Sequence, residues 1–273
     1  MNKMVVFPNI KINLGLNILR KRSDGFHDLS SLFYPVSWCD ILEFTERTDN
    51  ELVFENTGIV VDCEPEKNLI VKAFKLLAAD YKLPGMTLQL HKIVPFGAGL
   101  GAGSSDAAAL LRGLNDYFEL KLNNTQLISY AAKLGSDCAF FIENRPCMAS
   151  GRGEVLTPSS LQLDGWHIIV VKPPFGVSTA EAYANVKPAV PQIDIEKIIQ
   201  LPVEDWKDKL CNDFEISVFP KYPQLAEIKQ QLYNAGAVYA AMSGSGSALF
   251  GLFKSEPVTN RLWGDCTVWK GIL

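Results

Sequence analysis

Residues 95–111 read PFGAGLGAGSSDAAALL. Gly97, Gly99, Gly101 and Gly103 alternate with Ala98, Leu100 and Ala102, and the run enters Ser104, Ser105, Asp106 and a helix-forming AAALLRGL. Glycines admit positive φ and let backbone amides approach a ligand closely, while a helix starting at the serines adds unpaired N–H groups and the positive end of its dipole. A phosphate is the natural guest. The P-loop pattern GxxxxGK[ST] fails for want of its lysine. Gly97-x-Gly99-x-x-Ala102 does satisfy GxGxxA, with Glu119 roughly twenty residues on, so an NAD-binding site is an alternative. That fingerprint expects a parallel strand after its helix, whereas residues 118–135, FELKLNNTQLISYAAKLG, pass from a polar loop into a second helix with Thr125 near its cap. A tight turn packed on a helix is the bland reading of the same glycines.

Upstream, residues 86–94, MTLQLHKIV, alternate Met86, Leu88 and Leu90 inward, and the same parity carries Lys92 to the buried side. A lysine there needs a counter-charge or a cleft, unless the strand stops early and the side chain snorkels to water. Residues 10–18, IKINLGLNI, alternate in the same way and predict a half-buried strand, with Lys11 and Asn13 together on the face opposite the isoleucines. Short strands are expected at LSSLFYPV, DILEF and ELVFE, and an amphipathic helix from Asn68 to Tyr81. Downstream, GRGE at 151–154 reads as a hairpin turn and TPSSLQLDG at 157–165 as a connector. HIIVVK, a helix at STAEAYANV, helices near Asp194 and Asp205, QLAEIKQQLYNAG and two strands around SGSG complete an α+β pattern in two layers.

Composition bounds the function. A chain of 273 residues favours two domains, and 48% hydrophobic with 21% charged residues is globular composition. The net charge of -4 gives no broad basic surface, which argues against a nucleic-acid partner. Six scattered cysteines form no CxxC pair and suggest neither zinc nor a disulfide framework. Neither a signal peptide nor a membrane helix is indicated, so the expected location is cytoplasmic, with no membrane partner.

PFGAGLGAGSSDAA resembles the central phosphate motif of the GHMP kinases, and its GLGxGSSDAA version is similar to the branch acting on a cytidine diphosphate derivative of methylerythritol. The resemblance spans nearly the whole chain: PNIKINLGL, RSDGFHDLSSLF, PEKNLIVKAF, KLGSDCAFF and MSGSGSALF follow in family order. It implies a two-domain GHMP kinase fold. The N-terminal domain, residues 1–156, is then like ribosomal protein S5 domain 2, the C-terminal domain, 157–273, is ferredoxin-like, and the active site lies in their cleft. It implies ATP and Mg2+, and transfer of the γ-phosphoryl group to the substrate's 2-hydroxyl in the non-mevalonate isoprenoid pathway, by a monomer or homodimer.

The resemblance also distributes roles. Pro95, Gly97, Ala98, Gly99, Leu100, Gly101, Ala102, Gly103, Ser104 and Ser105 form the ATP phosphate loop, with Ser104 or Ser105 reaching a phosphate oxygen or the metal (Ser104 the candidate magnesium ligand). Asp137 takes the hydroxyl proton and Lys11 faces it; Asn13 meets the polyol and Lys92 the diphosphate. His27 reads cytosine while Phe26, where the family commonly has tyrosine, and Tyr183 sandwich the ring. Ser243 and Gly244 close over phosphates and substrate, and Asn68 lies on the adenine side. Simpler readings stand beside these: Asn68 as a helix cap, Ser178 to Glu181 as a capping box, SGSG as a hairpin turn, and Asp137 as turn chemistry. Competing functions are a homoserine- or mevalonate-type kinase, a non-catalytic nucleotide-binding relative, and an NAD-dependent oxidoreductase.

Overall fold

The computed structural model describes residues 3–61, 63–258 and 263–273. The elements run β1 (Lys3–Val6), β2 (Ile10–Lys21), β3 (His27–Val36), β4 (Ile41–Glu46), β5 (Leu52–Gly58), α1 (Leu69–Tyr81), β6 (Met86–Lys92), α2 (Ala102–Tyr117), α3 (Asn124–Leu134) and α4 (Phe140–Glu143). They continue β7 (Cys147–Ser150), β8 (Val155–Pro158), β9 (His167–Lys172), α5 (Thr179–Ala184), α6 (Ile195–Ile198), α7 (Phe214–Val218), α8 (Pro223–Asn234), β10 (Tyr239–Met242), β11 (Leu249–Phe253) and β12 (Thr267–Ile272). Two compact units result. The first holds Met1–Ile10, Trp38–Phe96 and Gly101–Asn144; the second holds Lys11–Ser37, Gly97–Leu100 and Arg145–Leu273. They interleave along the chain, and a cut after residue 156 falls inside β8.

In the first unit a sheet ordered β1-β4-β6-β5 carries the helices. Alternation in β6 places Met86, Leu88, Leu90 and Lys92 inside and Gln89 and His91 outside, as its period-two pattern requires. Helix α1 buries Ile70, Val71, Ala73, Phe74 and Leu77, a stripe at helical spacing. Helix α2 approaches the sheet at Gly113, where a Cβ would lie 2.7 Å from the Phe44 ring, so only glycine permits this packing. The cap of α3 is Asn123, two residues before Thr125, in a reciprocal capping box with Gln126: asparagine's short carbonyl reaches the Gln126 amide from the residue before the helix. No strand follows α2 before α3, which removes the context that a dinucleotide fingerprint needs.

The second unit contains two sheets, β2-β3-β7-β8 and β10-β11-β9-β12. Strand β9 lies between β11 and β12, and Ile168, Ile169, Val170 and Val171 are all buried. Its continuous apolar run therefore reflects cover on both faces, each such side chain contributing about 1.5–3 kcal/mol by burial. Helices α5, α7 and α8 supply one cover through Ala182, Phe214, Val218, Leu225, Ile228 and Leu232. GRGE turns β7 into β8 as expected. The helix expected near Asp205 is a single 3₁₀ turn, Val203–Asp205, which Pro202 precedes. Strand β2 departs from its half-buried reading. It runs 12 residues and is buried on both faces as far as Leu16, so Lys11 and Asn13 face protein and not solvent.

Candidate active site

Within the second unit, three segments far apart in sequence converge on one carbonyl. Residues 97–100 run between β2 and the β10–β11 loop: Lys11 donates its amide to Leu100 O at 3.0 Å, and Ala248 donates its own to Ala98 O at 3.1 Å. Gly99 has φ +76° and sits so close to the SGSG segment that a Cβ there would fall 2.0 Å from Ser243 O. Its carbonyl accepts the Ser243 hydroxyl at 2.9 Å and the Lys11 ammonium at 3.2 Å. Lys11 Nζ also donates to Asn13 Oδ1 at 2.6 Å and lies 4.7 Å over the Phe33 ring. Asn13 in turn donates to Ser31 Oγ, which donates to Gly15 O. The pairing of Lys11 and Asn13 on one strand face thus holds.

The β10–β11 connection is a hairpin loop, closed by Ser243 N to Ala248 O and Gly246 N to Ser243 O. Ser243 is fully buried with its hydroxyl committed to Gly99 and, at 3.4 Å, to Asn13, so it braces the glycine segment and offers nothing outward. Gly244 O is held by Asn212 Nδ2 at 2.9 Å, which also holds Met242 O. Asn212 carries no motif of its own, and Ser31 and Phe33 lie in RSDGFHDLSSLF with no role read from it; a buried polar group that ties distant backbones shows only once the chain is folded.

In the first unit, Gly101 (φ +71°) precedes α2. The amides of Ala102, Gly103 and Ser104 are the helix's orphan donors, whereas Ser105 N bonds Gly101 O at 2.9 Å and its side chain is buried. This corrects the expectation for Ser105: of the two serines, Ser104 alone stays half-exposed at the helix mouth. Pro95 lacks an N–H to give. Added Cβ atoms at Gly97 and Gly103 would meet nothing within 4 Å, so space lies over both positions. Ser104 lies against the Cys138 thiol, which burial pushes up to about 11, so Cys138 is protonated and inert near neutrality. That contact brings the SSD and SDC motifs together and sets half-exposed Asp137 in the turn between α3 and α4.

Lys92 is the clearest correction. Its side chain does not snorkel, nor does it meet a diphosphate: the ammonium is buried, 2.5 Å from Asp40 Oδ2 and 2.7 Å from Asp106 Oδ2. The counter-charge that its parity demanded comes from two carboxylates of the same unit. Asp40 Oδ1 accepts the amides of Ile93 and Val94, which pins the exit of β6 just ahead of the glycine run. Burial most of all, opposed by Lys92 and assisted by Asp40, raises Asp106 to about 7. Asn68 is the α1 cap, its Oδ1 accepting from Ile70 N at 2.9 Å.

Also in the second unit, Phe26 is 55% exposed, and the guanidinium of Arg152 lies 4.9 Å from its ring centroid. Tyr183 stacks on His27 at 4.8 Å and 21°, with Phe214 edge-on to it. The Ser178 hydroxyl caps α5 through Glu181 N, but the Glu181 carboxylate reaches Lys221 and Tyr222.

Residues 68–145 match the GHMP kinases N terminal domain and residues 189–262 the GHMP kinases C terminal domain. A Bacteroides fragilis protein named 4-diphosphocytidyl-2-C-methyl-D-erythritol kinase is 50% identical over 261 residues, 95% of each chain. One of the same name from Parabacteroides distasonis is 46% identical over 272 residues, 99% of this chain and 100% of its own. A crystal structure of 4-(cytidine 5'-diphospho)-2C-methyl-D-erythritol kinase superposes with a TM-score of 0.79 at 32% identity, covering 91% of this chain and 90% of that one. No helix among the described residues is long and apolar enough to cross a membrane.

Proposed function

The chain belongs to the GHMP kinases and, within them, to the 4-diphosphocytidyl-2-C-methyl-D-erythritol kinases, and on that premise we propose the following chemistry for its residues. The reaction moves the γ-phosphoryl group of ATP to the 2-hydroxyl of 4-diphosphocytidyl-2-C-methyl-D-erythritol: a bond forms from the hydroxyl oxygen to phosphorus, the bond to the β,γ-bridging oxygen breaks, and ADP leaves. The observation that carries the reading is the convergence on Gly99 of the lysine strand, the first glycine run and the SGSG loop.

Phosphoryl transfer is largely positioning and charge neutralisation. The amides of Ala102, Gly103 and Ser104 at the start of α2 give an anion three unpaired donors and the helix dipole, and the open space over Gly103 leaves that helix mouth accessible to a phosphate. Magnesium, when bound, neutralises charge on the phosphate oxygens; Ser104 Oγ is its protein contact in this proposal. Asp137 is assigned the hydroxyl proton and Lys11 the charge that develops during transfer.

A coupled ADP-release assay with this substrate beside homoserine and mevalonate tests the reading; turnover of homoserine or mevalonate in its place defeats it. Asp137→Ala should lower kcat by about 10²–10⁴ while ATP still binds. Near-normal turnover of that variant removes Asp137 from the mechanism.

A further inference from the structure

The sequence reads GRGE as a turn and nothing more. In the fold, Gly151 O accepts the Leu29 amide at 2.7 Å, which ties the turn to the start of β3 and so to Phe26 and His27. The turn is stiff: Glu154 Oε2 accepts the Arg152 amide at 2.5 Å, and Glu154 Oε1 lies 3.6 Å from Arg152 Nε. On the other side, Phe26 N donates to Asp24 Oδ1 at 3.1 Å, and Arg22 pairs with both Asp24 and Asp28. Two braced turns therefore bring a guanidinium over an aromatic ring that still leaves more than half of its surface exposed.

An exposed phenylalanine on a glycine-bearing turn is poorly suited to stack a base unless something fixes its plane, because the ordering cost then falls on binding. We propose that Arg152 is a positioning residue for pyrimidine recognition: stacked on one face of Phe26, it holds the ring ready for a cytosine to stack on the other. The inference rests on the cytidine-diphosphate reading of the substrate and deepens it. It also reassigns the aromatic pair: Phe26 with Arg152 makes the stacking platform, while Tyr183 backs His27. Arginine suits the task because its planar group stacks as well as charges.

A cation–π contact at an exposed site is worth about 0.5–1 kcal/mol, which is about twofold to fivefold in affinity. Steady-state kinetics of Arg152→Ala should show KM for the cytidine substrate raised by about that factor, with kcat and KM for ATP changed less than about 1.5-fold. Arg152→Lys should recover part of the loss. In a Phe26→Leu background Arg152→Ala should change nothing further, since the ring it positions is gone. An unchanged KM in Arg152→Ala overturns the proposal, and so does an equal loss in the Phe26→Leu background, which would mean direct contact with the diphosphate. Calorimetric binding of cytidine 5'-diphosphate to wild type, Arg152→Ala, Arg152→Lys, Phe26→Leu and the double variant reads the stack without turnover. If the wild type binds it in this pattern but does not phosphorylate the substrate, the proposed function fails and the role of Arg152 stands.

Discussion

Replacing Asp106 by asparagine should make the protein more stable at neutral pH and nearly unchanged in acid. Asp106 is the fifth residue of α2, 2% exposed; its Oδ2 meets Lys92, and its Oδ1 is buried with no hydrogen-bond partner among the described residues. One lysine thus serves two buried carboxylates, and Asp40 is the better satisfied, with two backbone amides besides. Asp106 bears the deficit: burial, moderated by Lys92 and worsened by Asp40, lifts it from 3.8 to about 7. A carboxyl whose folded pKa is raised contributes stability that is fully present below 3.8 and is lost as pH climbs toward 7. Integrated from pH 5 to pH 7, the loss is about 2 kcal/mol, and asparagine, which does not titrate, should not suffer it.

The assay is a melting curve of wild type and Asp106→Asn at pH 5, 6, 7 and 8. At about 2–4 °C per kcal/mol for a chain of this size, the gap between the proteins should widen by about 4–8 °C across that range. It should level off above pH 7, where the wild-type carboxyl has already ionised. Asparagine fills the same space and can donate from Nδ2 to Asp40, so the comparison isolates charge from packing. Two melting curves that run parallel from pH 5 to pH 8 would refute the reasoning, because Asp106 would then titrate as an ordinary carboxyl and Lys92 would satisfy both partners.

Lys92→Met should lower stability by about 3–5 kcal/mol, since it strands two buried carboxylates, and adding Asp106→Asn should restore a large part in the same denaturation experiment. Gly103→Ala should raise the melting temperature, because the position is helical and open, while raising KM for ATP by blocking close approach of phosphate to the helix mouth; a variant with unchanged KM would take Gly103 out of the nucleotide site. Gly99→Ala should instead lose both stability and activity, its Cβ colliding with Ser243 O at a backbone φ of +76°.

The glycine run shows how far a pattern reaches. Its alternation marks an anion loop, because so many flexible residues in seven positions are costly unless a close approach requires them. It does not separate the glycines by role. Gly99 is small because a carbonyl of the β10–β11 loop, 144 residues on, abuts it, while Gly97 and Gly103 have space above them. The second fact is what a ligand would use, and only tertiary contact distinguishes it from the first. Strand parity behaves the same way. Period two put Lys92 on the inner face of β6 without ambiguity, yet its partners lie 52 and 14 residues away, the first just ahead of β4 and the second on a helix beyond the loop. Parity says which way a side chain points and not what awaits it.

Strand β2 carries that logic to the fold itself. Its alternation of isoleucine and leucine with lysine, asparagine and glycine is the signature of one wet face, and every second residue obeys. The other face is nevertheless dry, because Lys11 and Asn13 satisfy each other, Ser31 takes the amide of Asn13, and the Gly99 carbonyl takes the remainder of the ammonium's demand. A polar strand face can be buried when its donors and acceptors close among themselves, and burying them is costly unless they do. That closure uses the Gly99 carbonyl and the Ser243 hydroxyl, and residues 97–100 accordingly lie in the second unit although the segments on either side belong to the first. The same four residues are held besides by the backbone bonds of Lys11 N to Leu100 O and Ala248 N to Ala98 O, so segments distant in sequence must meet before this strand face can close.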